Sequence, residues 1–184
     1  MADWLSEAKM VDTAVYAAVA GTETPRLDVA MRGLTRAADH SKLWLGTAAG
    51  LALLGGSGGR RAAAQGLASL GLASAFANLV AKPLTTRRRP EREELRVLER
   101  RHVPMPRTSS FPSGHTASAF AFATGVGNAQ PALSAPLRAL ATLVGYSRVH
   151  TGVHYPADVL VGAFIGVSAA ELAGRLLSRH PLAR

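Results

Sequence analysis

The chain has 184 residues, no cysteine, 5% aromatic residues and a formal net charge of +9. That length supports one domain, and the missing cysteine excludes a disulfide framework, a thiolate nucleophile and a cysteine-ligated zinc site. The charge raises nucleic acid or an anionic membrane as partner, but so few aromatics offer no base-stacking platform, and nucleic acid is set aside.

From the N-terminus, Asp3, Glu7, Lys9 and Asp12 interrupt the stretch 1–20, which therefore does not read as a cleaved signal peptide. Trp4, Ala8, Val11, Val15 and Ala18 recur at helical spacing among those charges. They predict an amphipathic helix lying at an interface or packed on a bundle. Thr24 and Pro25 read as N-cap and first position of a second amphipathic helix, with Leu27, Ala30, Met31, Leu34 and Ala38 as its apolar stripe. The uncharged stretches 43–59 and 62–81 follow, and the second, bounded by Arg60-Arg61 and Lys82, is long enough to cross a bilayer as a helix. The glycine cluster 55–59 lacks the Lys-Ser/Thr and the preceding strand of a phosphate loop and reads as a flexible turn.

Arg87, Arg88 and Arg89 with Arg92, Arg96, Arg100 and Arg101 form a basic run, in which 91–101 predicts a third amphipathic helix through the spacing of Glu93, Arg96 and Glu99. Stretches 116–137 and 159–170 are further uncharged candidates for spans, the first carrying Pro131 and Pro136. No segment alternates apolar and polar residues long enough for a strand. The expected fold class is all-α: a membrane helical bundle of about five to six helices with short amphipathic interfacial helices. It forms a single domain, 1–184, in which 1–40 supplies the N-terminal helices and 41–178 the core bundle. Hydropathy alone also admits a soluble Ala-rich bundle. Gly46 with Gly50 and Gly162 with Gly166, spaced for close helix approach, favour the membrane. If the spans alternate, Arg60, Arg61, Arg138, Arg175, Arg179 and Arg184 share one side, which the positive-inside rule makes cytoplasmic. Segments 82–111 and 148–156 then face the extracytoplasmic side.

Three short motifs meet on that side. Lys82 and Arg89 bring a point charge and a planar fork suited to phosphate oxygens, and Pro90 fixes the turn after them. Pro112-Ser113-Gly114-His115 opens a helix: Ser113 is its N-cap, the free N–H groups of its first turn attract an anion, and Gly114 permits close approach. His115, on that first turn, can donate a proton to a leaving oxygen. Arg148 can hold further oxygens, and His154 would attack phosphorus while Asp158, four residues on, fixes its tautomer through Nδ1–H. Pro156 is expected as the first residue of the helix carrying Asp158. His115, His150, His154 and Asp158 could instead ligate a divalent ion, but a site so rich in cations repels one. His150 reads as a neighbour of the site, in packing or substrate contact.

Lys82 with Arg89-Pro90, Pro112 to His115, and Ser147-Arg148 with His154 and Asp158 together resemble the three motifs of the type 2 phosphatidic acid phosphatase family, which also includes bacterial acid phosphatases and vanadium haloperoxidases. The resemblance implies a helical bundle, no cofactor or metal, and a two-step mechanism. His154 forms a phosphohistidine while His115 protonates the leaving alcohol; water activated by His115 then releases phosphate. Lys82, Arg89, Arg148, Ser113 and the Gly114 N–H hold the oxygens. It also implies a multi-pass protein of the cell membrane that hydrolyses a lipid phosphate or diphosphate, of polyprenyl or phosphatidyl type, on the extracytoplasmic face. Membrane members have six spans, whereas this N-terminus offers only a weak amphipathic helix, leaving five or six. The alternatives are a vanadium-dependent haloperoxidase, a soluble acid phosphatase and a non-catalytic membrane protein binding lipid headgroups. The complete His115, His154 and Asp158 set disfavours the last, since binding needs no nucleophile. The expected partners are the lipid substrate and the membrane; a homo-oligomer is admitted and not required.

Overall fold

The structure, a computed structural model, describes residues 3–94 and 97–178. Seven α-helices follow in order: α1 Asp3–Gly21, α2 Pro25–Ala38, α3 Lys42–Leu54, α4 Gly56–Ala75, α5 Gly114–Ala129, α6 Ser134–His150 and α7 Pro156–Ser178, with no strand among the described residues. The all-α expectation holds. Arg96, Arg179 and Arg184 lie outside the described residues, so the pairing expected of Arg96 and the placement of the other two are not described.

The bundle is built around α5, nearly all of which is buried between α4, α6 and α7. Its small residues let backbones close in. A β-carbon on Gly162 would stand 2.6 Å from the Ser113 carbonyl oxygen, and one on Gly166 would meet the Ala117 carbonyl, so the predicted close approach of α7 rests on these two glycines. Gly46 and Gly50 face open space and seat no helix. On the other side of α5, Trp44 from α3 packs on Phe122 with ring centroids 5.4 Å apart. The glycine cluster is not a flexible turn: a β-carbon on Gly59 would strike the Leu51 carbonyl, so the α3–α4 corner is a tight backbone contact, with Gly56 left-handed at φ 60°.

Among the described residues two helices are long and apolar enough to cross a bilayer, Gly56–Ala81, where α4 runs on through a π-helical turn, and Pro156–Ser178. Five to six spans are not reached by this measure. The candidates 43–59 and 116–137 break at Gly55 and Gln130, leaving α3, α5 and α6 with 13, 16 and 17 residues, short of the roughly 20 a bilayer core asks for. Only 33% and 28% of the two apolar windows are buried, and Leu79, Leu160 and Phe164 point outward. A soluble core helix would bury most of such a window; these face a surrounding apolar phase.

The helices α4 to α7 run up and down, which gathers the end of α4, the start of α5, the end of α6 and the start of α7 at one end of the bundle. Arg60, Arg61, Arg138 and Arg175 are at the other. Over the first end lies a layer formed by α1, α2 and segment 82–113. Asp12 and Tyr16, mid-way along α1, touch the start of α7 and the α6–α7 loop, so α1 crosses the bundle end instead of running beside the other helices. Of the two expectations for α1, packing on the bundle is the one these contacts show, through Asp12, Tyr16 and Ala20, while Trp4, Val11 and Val15 of the predicted apolar stripe are exposed. The N-terminus of α2 falls at Pro25 after Thr24, as expected, although the Thr24 hydroxyl donates to the Asp28 side chain and accepts from no free backbone N–H group of the first turn.

Segment 91–101 is not a third amphipathic helix: among the described residues it holds a turn at 92–94 and one 3-10 turn, Glu99–Arg101. Tertiary hydrogen bonds override its helical spacing. Arg92 turns inward to the carbonyls of Gly152 and Val103, and Arg101, fully buried, donates to Asp28 and to the carbonyls of Val19 and Thr22. Asp28, itself buried, also accepts from Arg100 at 2.6 Å and from His150 Nε2 at 2.9 Å. Burial alone would raise its carboxyl, but hydrogen bonds from Arg100, His150, Thr24 and Arg101 outweigh it and hold the value down to about 2. The carboxylate therefore stabilises the fold fully above its ordinary 3.8, and that contribution drains away as pH falls toward 2. Asp28→Ala, which strands the Arg101 charge, is expected to cost about 3–5 kcal/mol. Melting in detergent at neutral pH checks the loss, and the gap between variant and wild type should narrow below pH 4.

Candidate active site

Most motif residues owe their position to a helix end, whereas Arg89, in the loop after Lys82, is held by the carbonyls of Thr108, Ser109 and Val153. The π-helical turn Phe76–Ala81, in which the Lys82 N–H reaches back five residues to Ala77 at 3.0 Å, swings Lys82 inward, where its ammonium donates to Asn78 Oδ1 at 2.7 Å. Ser113 is the N-cap of α5, as expected, and its N–H donates to the Asp158 carbonyl at 2.9 Å, tying the start of α5 to the start of α7. A β-carbon on Gly114 would stand 3.3 Å from Lys82 Nζ, so the glycine leaves room for the cation beside the N-terminus of α5. Pro156 is the first residue of α7, as expected, which leaves His154 in the loop before it and Asp158 in its first turn.

The eight predicted residues converge on this end of the bundle. His154 is buried at 2% exposure, and its Nδ1 lies 3.3 Å from Asp158 Oδ2. Arg89 Nη1 points at His154 Nε2 from 3.3 Å and also donates to the Val153 carbonyl at 2.9 Å. A donor facing Nε2 and a carboxylate facing Nδ1 select the tautomer with the proton on Nδ1, so that Nε2 carries the lone pair and turns it toward Arg89. Burial is the largest influence on this imidazole and, helped by Arg148 and Arg89 against the pull of Asp158, pushes its pKa down to about 4. It is neutral at physiological pH.

Arg148, at 2% exposure, donates from Nη1 to Thr35 Oγ1 on α2 and lies 3.9 Å from Asp39, while its buried Nε has no partner among the described residues. Burial, then the charges of Arg89 and Arg148, lower the Lys82 ammonium from its usual range. Three cations crowded closely enough to oppose one another, with a buried N–H left over, fit a multiply charged anion. The adjoining recess of about 170 Å³ is lined by Lys82, Gly114 and His115 together with Asn78, Ser74 and His40.

Several partners were not legible in the sequence. Asp39, in the 3-10 turn between α2 and α3, accepts from His115 Nε2 at 2.8 Å; the two residues after it, His40 and Ser41, are left-handed at φ 54° and 59°. Ser110 donates to Asp158 Oδ2. Arg87, read only as part of the basic run, donates to Asp158 Oδ1 at 2.8 Å and pairs with Asp12 on α1. These partners stand dozens of residues apart in the chain, and no short-range pattern announces them. His150 turns away from the site to Asp28 and so is a packing residue; the four-residue metal grouping weighed above is not assembled, each histidine having its own aspartate.

Comparison with known proteins gives the same picture. The profile of the PAP2 superfamily matches residues 62–180. The chain is 37% identical over 153 residues to the decaprenylphosphoryl-5-phosphoribose phosphatase of Mycolicibacterium smegmatis, covering 81% of this chain and 77% of that one. The crystal structure of Aquifex aeolicus LpxE superposes with a TM-score of 0.71 at 25% identity, over 89% of this chain and 94% of that one. That of the transmembrane PAP2-type phosphatidylglycerolphosphate phosphatase of Bacillus subtilis superposes with 0.73 at 23%, over 97% and 90%, and shares the fold.

Proposed function

The chain belongs to the PAP2 superfamily of membrane phosphatases, and we propose that it is a multi-pass membrane enzyme hydrolysing a lipid-linked phosphomonoester through a phosphohistidine. A polyprenyl-linked phosphosugar is the preferred substrate class, which the name of the mycobacterial relative supports. The observation that carries the reading is a buried, neutral His154 whose Nε2 faces Arg89, with the Arg148 charge close by and Lys82 crowded against both arginines.

In the first step His154 Nε2 bonds to phosphorus as the ester P–O bond breaks, and His115 gives its proton to the departing oxygen. Asp158 steadies the imidazolium that forms. In the second, His115 takes a proton from water, whose oxygen bonds to phosphorus as the N–P bond breaks, freeing phosphate and restoring neutral His154. Lys82, Arg89, Arg148, Ser113 and the Gly114 N–H neutralise the oxygens in both transition states, with no metal in either step.

The site faces the extracytoplasmic side, a reading supported by Arg60, Arg61, Arg138 and Arg175 at the opposite end and by the neutralisation of Arg87, Arg100 and Arg101 on the near side through Asp12, Asp158 and Asp28. The chain works as one domain, since residues of the layer 1–40 touch Arg148 and His115 of the core 41–178. Phosphate release from a panel of polyprenyl and phosphatidyl phosphomonoesters in detergent tests the proposal. Activity that persists in chelator and is highest on the phosphosugar lipid is expected; activity that disappears in chelator overturns the two-histidine mechanism.

A further inference from the structure

We propose that Arg87 and Asp12 are positioning residues that extend the His154–Asp158 pair into a four-member relay anchored on α1. The proposal rests on the phosphatase reading for its kinetics but not for its geometry.

Asp158 is fully buried, and its two oxygens divide their work. Oδ2 accepts from the Tyr155 N–H at 2.9 Å and from Ser110, and faces His154 Nδ1. Oδ1 is held by Arg87 Nη1 at 2.8 Å. With Oδ1 fixed, the carboxylate cannot rotate away from the imidazole. Arg87 is fixed in turn: its other amino group pairs with Asp12, and its guanidinium lies over the Tyr155 ring, 4.5 Å from the centroid. Asp12, 6% exposed, closes the chain by accepting the Ala157 N–H at 2.8 Å in the first turn of α7. One planar fork thus bridges two buried carboxylates, a task lysine's single ammonium performs poorly. Without it both buried acids would lose the one cation hydrogen-bonded to them, and the cheapest response is for one to take a proton or turn aside.

The charged and titratable groups facing the pair are Arg87, Arg89 and Ser110 from segment 82–113, Arg148 from α6 and, behind Arg87, Asp12 from α1. Removing Arg87 subtracts a positive charge, so the acid limb of kcat/KM should rise; removing the Asp12 charge should not raise it.

Arg87→Met is expected to lower kcat by about 10- to 100-fold, as loss of an outer partner of a catalytic group does. KM and product inhibition by inorganic phosphate should stay within about threefold, and the acid limb should move up by about one pH unit. Arg87→Lys should recover part of the limb shift, and Asp12→Asn should lose a few-fold in kcat with no upward shift. Equal losses in both variants with an unmoved acid limb would mean a tie between helices and nothing more, which overturns the proposal. A readout independent of turnover is the ¹⁵N NMR tautomer of His154. Proton on Nδ1 in the wild type and a mixture in Arg87→Met supports the relay, and an unchanged tautomer refutes it. Failure of the wild type to release phosphate from any lipid would instead refute the phosphatase reading, and the tautomer would still decide the relay.

Discussion

On the proposed mechanism His154→Ala should abolish turnover: phosphate release from the lipid phosphomonoester should drop by about 10⁴-fold or more, because the group proposed to form the covalent intermediate is gone. The nucleophile is neutral down to about pH 4, so the wild-type acid limb should lie well below neutrality. The substitution removes a buried ring, and a cavity term of a few kcal/mol accompanies it. His154→Gln retains much of the volume, and a similar loss of turnover with near-normal melting separates chemistry from packing. Residual activity above about 1% of wild type would show that phosphorus is attacked by something else. Binding should survive better than turnover, since Lys82, Arg89 and Arg148 do not depend on this ring for their charge. Competitive inhibition by inorganic phosphate, measured before and after substitution, checks this.

His115→Asn should divide substrates by their leaving groups. A lipid-linked or alkyl phosphomonoester expels a poor leaving group that needs a proton as the P–O bond breaks, and kcat/KM for it should fall by about 10²- to 10⁴-fold. p-Nitrophenyl phosphate expels a stable phenolate without help, and its kcat/KM, which reports only steps through P–O cleavage, should fall by about tenfold or less. Equal losses on both substrates would place His115 in anion binding and not in proton transfer. The geometry favours the proton role: the ring is partly open to the recess it lines, and its Nε2 hydrogen bond to Asp39 leaves one nitrogen uncommitted.

That the eight motif residues gather at one end of the bundle, and that helices start at Pro25, after Ser113 and at Pro156, was legible from local chemistry: a helix start needs an N-cap or a proline, and a phosphate grip needs cations near such a start. The helix of α1 was legible from its spacing, but the face it packs, Asp12, Tyr16 and Ala20, is not the apolar stripe. The errors have a different source. Segment 91–101 has helical spacing, but Arg92 and Arg101 find better partners across the fold, and the glycine cluster turned out to be a backbone contact because packing, not composition, decides how close two helices come. Asp39, Arg87 and Asp12 were missed as site residues because a carboxylate or guanidinium carries no local sign of what it will meet seventy or more residues away. Span number was overestimated because an uncharged stretch does not say where its helix breaks.

The glycine seam where α7 lies on α5 has a bearing on how a lipid arrives. Backbone meets backbone there, with the Ser113 carbonyl where a side chain on Gly162 would stand, so no hydrocarbon chain can wedge between the two helices on its way to His154. That seam, inside the bundle, is closed, and widening it would pull apart the two helix starts that carry His115 and Asp158. A lipid substrate of the kind proposed would therefore have to present its phosphate to His154 without its tail passing between α5 and α7.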